Sequence, residues 1–186
     1  MRIVLPEPSL VVLIGASGSG KSSFARKHFR PTEVMSSDAF RGWVSDDENN
    51  QEATKDAFAA LHYMTDLRLR RYRTAVVDAT NVQDASRKPL VAIAKANDLP
   101  VVAIALDLPP AVCHERNAQR PERDFGPHVV NNHCRQLRMS LRHLEKEGFR
   151  YVHVLRGQDE VDAVEFERQP LWTNRSAETG PFDLIG

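Results

Sequence analysis

The stretch 10-LVVLIGASGSGKSSFARKHF-29 decides the fold. Residues 10–15 read as a short buried strand ending in Gly15. Residues 21–29 read as a helix stopped by Pro31. Between them, GASGSGKS (15–22) matches G-x-x-x-x-G-K-[ST] in the strand–loop–helix setting that the motif demands. Glycines let the backbone curl so that its N–H groups face inward, and the following helix N-terminus adds partial positive charge. The expectation is a nucleoside triphosphate cradle built from Gly15, Ala16, Ser17, Gly18, Ser19, Gly20, Lys21, Ser22 and Ser23. Lys21 reaches the β- and γ-phosphates there, and the Ser22 hydroxyl ligates the Mg²⁺ that bridges them. The competing reading is a Gly/Ser-rich turn without a ligand.

Working outward, apolar runs alternate with helical patterns. Further strands are expected at 33–37, 74–80, 100–108 and 150–155, and helices at 47–73, 84–98, from Ala111, and 129–148 with Gly148 as a stop. This alternation predicts an α/β P-loop NTPase fold, a parallel sheet of about five strands flanked by helices on both faces. The 186 residues suffice for one domain with a proper core. Lys and Arg number 25 against 25 Asp and Glu, so no basic field advertises nucleic-acid binding and any such claim needs a local site. Cys113 and Cys134 have neither pairing nor metal spacing and read as small buried apolar residues, which fits a reducing, cytoplasmic compartment. No apolar run spans a membrane.

A P-loop does not name a reaction. Asp38 follows the second of these strands, near the γ-phosphate in folds of this class, where a carboxylate takes the proton of an attacking hydroxyl. Its alternative is a helix N-cap. Asp78 ends the strand in VVDATN (76–81) in a Walker-B-like position followed by Ala-Thr-Asn rather than Glu. Nothing there obviously orients a water, which favours transfer to a bound alcohol. Arg116 and Arg120, four apart, share one helical face, with Arg123 past Pro121. They read as an Arg-bearing helical lid that neutralises phosphate charge, against the blander alternative of a solvated face paired with Glu115 and Glu122. Arg41 sits one helical turn from Asp38. An acid and a guanidinium fork so spaced suit an acceptor with one proton to remove and one anion to anchor, or else form an ordinary surface ion pair. Phe40 and Trp43 beside them favour packing over base stacking.

Together LVVLIGASGSGKSSFARKHF, SSDAFRG.VSDDEN, VVDATNVQ..SRKPL and VC.ERN..R resemble the N-terminal kinase module of bacterial polynucleotide kinase-phosphatases. The likeness runs from the first strand to FERQPLW (166–172). It implies transfer of the γ-phosphate of ATP, or another NTP, to 5′-OH ends of RNA or DNA in end healing and repair. In that family's terms Lys21 and Ser22 serve the donor and its metal. Asp38 is the general base, Arg41 holds the acceptor's 3′-phosphate, and Arg116 and Arg120 are the lid arginines. Asp78 and Asn81 join the acceptor side. The resemblance also implies residues 1–170 as the kinase domain and 171–186, ending in the apolar FDLIG, as a linker and the start of a phosphatase domain. A covalently linked ligase-like module and a 3′-terminal ribose methyltransferase partner are implied in the same way. Two rival readings stay open: a small-molecule P-loop kinase acting on a sugar, a shikimate-like acid or a nucleoside, and a non-catalytic nucleotide-binding module.

Overall fold

In the computed structural model, which describes residues 1–119 and 126–172, every residue of the strand Leu10–Gly15 is buried. In chain order the elements are β1 (Arg2–Glu7), β2 (Leu10–Gly15), α1 (Lys21–His28), β3 (Val34–Ser36), α2 (Ser37–Ser45) and α3 (Thr54–Arg70). They continue with β4 (Ala75–Asp78), α4 (Asp84–Ala96), β5 (Val101–Leu106), α5 (Pro110–Ala118) and α6 (Pro127–Ser140). The described chain then holds α7 (Leu144–Glu147), β6 (Tyr151–Leu155), α8 (Gln158–Asp162) and β7 (Glu165–Pro170). Five strands form a parallel sheet in the order β3-β4-β2-β5-β6.

Strand periodicity assigns the two faces of β2 to two cores. Leu10, Val12 and Ile14 pack with Phe40 of α2, Leu61 of α3 and Leu90 of α4. Val11 and Leu13 pack with Phe24 of α1, Cys113 of α5 and Val161 of α8. Helices therefore cover both faces, as a parallel sheet requires. All five strands point the same way, so their carboxyl ends open a crevice beside the P-loop, where ligands bind in such sheets.

Sequence reading missed a second sheet. β1 pairs with β7 in parallel, Ile3 opposite Phe166. Phe166 stands 5.2 Å from the Phe29 ring and 5.3 Å from His28. Arg168 holds Glu33 through two bonds, 2.7 and 2.8 Å, and reaches Glu7 at 3.2 Å. The two strands are far apart in sequence, and Pro6 within β1 reads against a strand unless it lies at an edge.

The helix expected over 47–73 begins only at Thr54. Before it, Asp47 and Asn50 side chains accept from the backbone N–H of Asn49 (2.9 Å) and Glu52 (3.0 Å), which favours a turn over a helix. The helix expected over 129–148 starts at Pro127 and breaks after Ser140, although Gly148, at φ 109°, does end the chain's next helical turn. No helix among the described residues is long and apolar enough to cross a membrane.

Candidate active site

The phosphate loop is fixed from several sides. Gly15 N–H donates to Thr80 O at 3.0 Å, tying the loop to the end of β4. Lys21 Nζ donates to Gly15 O (2.9 Å) and Ala16 O (2.8 Å), so the loop curls around its own lysine. Gly18 has a φ of 79°, and a Cβ there would stand 2.2 Å from Cys113 O. Only glycine lets α5 lie so close. Ser17 Oγ also donates to Asn117 Oδ1 of α5 at 3.0 Å. Arg116, one residue earlier on that helix, donates to Gln158 Oε1 at 2.7 Å and passes over Gly20.

The opposite wall comes from β3 and α2. Ser36 lies in register with Asp78 of β4, which lies in register with Leu13 of β2. The ends of three neighbouring strands thus deliver Asp38, Asp78 and the P-loop to one edge. Ser36 Oγ caps α2 by accepting from Ala39 N–H at 3.5 Å. The cap considered for Asp38 therefore belongs to Ser36, and Asp38 stands in the first turn facing the crevice. Its Oδ1 forms an ion pair with Arg41 Nη2, and Arg41 Nε donates to Glu48 O at 2.7 Å. Arg41 is only 8% exposed. Burial lowers its pKa, while the nearby Glu48 and Asp47 carboxylates act in the opposite direction.

Between the walls lies a cleft of about 960 Å³ lined by Ser17 to Ser23, Asp38, Arg41, Asp78, Asn81 and Arg116. It brings together almost every expected site residue that is described. Gly15 and Ala16 lie behind the loop, giving their carbonyls to Lys21 instead of lining the space. Arg120, Arg123 and the tail expectation for 173–186 fall outside the described residues. Arg116 stands at the cleft on α5, where the lid expectation puts it.

Sequence reasoning missed Asn49, Gln51, His133, Gln158 and Asp162, which also line the cleft. No motif marks them; α8 becomes a candidate only once it is known to follow β6 at the sheet's carboxyl edge. Val129 lines the cleft, while Asn131 and Asn132 bond His114 and Arg135. His133 enters the cleft from α6 with its Nδ1 buried and without a hydrogen-bond partner among the described residues, its pKa lowered by burial and then by Lys21. Phe40 is core, while Trp43 packs edge-on against it at 4.7 Å and stays 71% exposed. Cys113 and Cys134 are buried, and burial pushes the Cys113 thiol up to about 11. Among the described residues no group of three or more His, Cys, Asp or Glu could hold a metal.

This is a P-loop NTPase fold of kinase-like architecture, with a phosphate loop facing an acid–arginine pair across one cleft. Residues 10–144 match the family described as AAA domain, and the chain belongs to that family. No curated protein matches the sequence. Among solved structures, a chain of "Structure of the Pnkp1/Rnl/Hen1 RNA repair complex" is similar at TM-score 0.62 and 24% identity. The match covers 73% of this chain and 45% of that one, so this chain spans less than half of its length. A putative kinase from Chloroflexus aurantiacus is similar at TM-score 0.56 and 14% identity, covering 80% of this chain and 88% of that one. The AvrRxo1-ORF1:-ORF2 structure with ATP follows at TM-score 0.54 and 16% identity, over 81% of this chain and 55% of that one. At these identities the likeness is one of fold.

Proposed function

We propose that the protein is a polynucleotide 5′-hydroxyl kinase, moving the γ-phosphate of ATP or another NTP to 5′-OH ends of RNA or DNA. The observation that carries this reading is the single cleft holding Lys21 on one wall and the paired Asp38 and Arg41 on the other. The residues fit a triphosphate donor. Gly18 and Gly20, both at positive φ, let the loop curl, and Lys21 at the cleft offers an ammonium to the β- and γ-oxygens. Ser22 is the residue that would hold Mg²⁺, the other ligands being phosphate and water oxygens. When bound, the ion offsets charge on the transferred group.

On the acceptor side, Asp38 takes the proton of the 5′-hydroxyl as its oxygen forms the bond to the γ-phosphorus. The bond to the bridging oxygen breaks, and the nucleoside diphosphate leaves. Arg41 orients Asp38 through the ion pair and is itself anchored on Glu48 O. Its remaining N–H groups are available to the acceptor's 3′-phosphate, which holds the hydroxyl in line. Arg116 and Arg120 stabilise charge as the phosphoryl group transfers. Asp78 and Asn81 complete the acceptor side. Residues 1–170 form the kinase domain in this reading. The setting is cytoplasmic nucleic-acid repair, beside phosphatase, ligase-like and 3′-ribose methyltransferase activities.

The test is transfer from γ-labelled ATP to 5′-OH RNA and DNA oligonucleotides, run beside a panel of small alcohols. Label on the oligonucleotide supports the reading. Label only on a sugar, a shikimate-like acid or a nucleoside overturns it in favour of a small-molecule kinase, and no transfer to any alcohol favours a binding module.

A further inference from the structure

The loop between β4 and α4 carries Asn81 at a φ of 49°, a left-handed backbone that asparagine tolerates at a cost. Its side chain is 97% hidden, at 3% exposure, yet lines the cleft. Asn81 Nδ2 donates to Leu13 O at 2.9 Å. A carbonyl only accepts, so this bond fixes which end of the amide is nitrogen. Oδ1 is therefore turned the other way, buried and without a hydrogen-bond partner among the described residues. A buried acceptor left open beside a ligand cleft is costly unless a ligand donor fills it.

Behind the loop lies Arg87, a guanidinium with 0% exposure. Its Nε and Nη2 grip Glu147 of α7 at 2.7 and 2.6 Å, and its Nη1 donates to the backbone carbonyl of Asn81 at 2.7 Å. Ser140 Oγ of α6 donates to the next carbonyl, Val82 O, at 2.7 Å. An arginine–glutamate pair with a fully buried guanidinium contributes little net stability compared with a well-packed apolar pair, but this one also holds the Asn81 carbonyl in place.

We infer that Arg87 and Glu147 are positioning residues that fix the Asn81 backbone, so that Asn81 Oδ1 accepts a hydrogen bond from a donor group of the alcohol substrate. The phosphates of an NTP are acceptors and offer no such donor. The loop also lies next to the strand end that delivers Asp38. The inference rests on the phosphoryl-transfer reading above.

The test uses Arg87→Met, Glu147→Leu and the double variant. Glu147→Leu leaves the fully buried Arg87 charge uncompensated and Arg87→Met leaves the partly buried Glu147 charge so, and each lowers Tm. The double variant, with both charges gone, recovers Tm to within a few degrees of the wild type. Its acceptor KM nonetheless stays raised about tenfold while the NTP KM is unchanged, the loss of one hydrogen bond. Asn81→Gly, which keeps the φ accessible and removes Oδ1, shows the same acceptor KM. Recovery of acceptor KM together with Tm in the double variant overturns the proposal, as does a normal acceptor KM in Asn81→Gly. NMR of the Asn81 side-chain amide reads the same point without any substrate. Its protons exchange slowly in the wild type and fast in the double variant, and unchanged exchange overturns the positioning role. A wild type that ignores oligonucleotides defeats the function reading alone, since the amide measurement still decides this one.

Discussion

The two walls of the cleft are built differently. The phosphate wall is locked by buried bonds: Gly15 to Thr80, Ser17 to Asn117, and Gly18 wedged against Cys113. The acceptor wall is carried by α2, where Asp38 pairs with Arg41 and Arg41 Nε donates to Glu48 O, on a turn whose side chains, Asp47 and Asn50, bond their own exposed backbone. A rigid wall suits a ligand common to every turnover, the triphosphate. In the proposed reading, recognition of the acceptor rests on the Asp38–Arg41 pair of the other wall. Single substitutions should therefore separate the two functions.

Arg41→Ala breaks the acceptor wall at its anchor. Removing a charged donor costs about 1.5–3 kcal/mol, so acceptor KM should rise on the order of tenfold to a hundredfold while the Kd for NTP barely moves. Steady-state kinetics with the acceptor varied checks this; an unchanged acceptor KM removes Arg41 from the acceptor site. Gly18→Ala breaks the other wall. With φ at 79° and Cys113 O at 2.2 Å from the new Cβ, the backbone must shift. The expected loss is about 1–3 kcal/mol of stability, read by denaturant unfolding, with weaker NTP binding. The smallest effect lies far from both walls, at Glu33. Burial is the largest influence and raises its pKa, but the Arg168 hydrogen bonds, the Arg30 N–H and the charges of both arginines together outweigh it and hold Glu33 below the ordinary 4.5. A depressed carboxylate stabilises the fold above its unfolded pKa and loses that contribution as pH falls through the folded value. Arg168→Ala should therefore cost about 1 kcal/mol or less near neutral pH, and the difference from wild type should shrink below pH 4.5. Unfolding curves at two pH values check it.

The contrast between the walls also governs what could be read from sequence. The phosphate wall is a local motif: GASGSGKS joins the strand Leu10–Gly15 to the helix Lys21–His28 in one continuous stretch, and the sheet's strands follow from apolar runs. Asp38, Arg41 and Asp78 were legible because strand ends carry them to one edge. Other features rest on long-range contacts with no periodic signal. The β1–β7 pairing joins the two ends of the described chain. Gln158 enters the cleft from a five-residue helix. The bonds of Arg87 to Glu147 and Asn81 cross from α4 to α7 and back to the loop before it. The turn at 46–53 was misread as helix because Asp47 and Asn50 chose their own backbone.

The most direct test of separable walls is Asp38→Ala, measured for NTP affinity by calorimetry and for phosphoryl transfer to a 5′-OH oligonucleotide on the same preparation. The expected result is a fall in transfer of about 10²–10⁴-fold, the contribution of a general base, with the NTP Kd within a factor of about two of wild type. Transfer that survives the substitution, or an NTP affinity that collapses with it, contradicts the account.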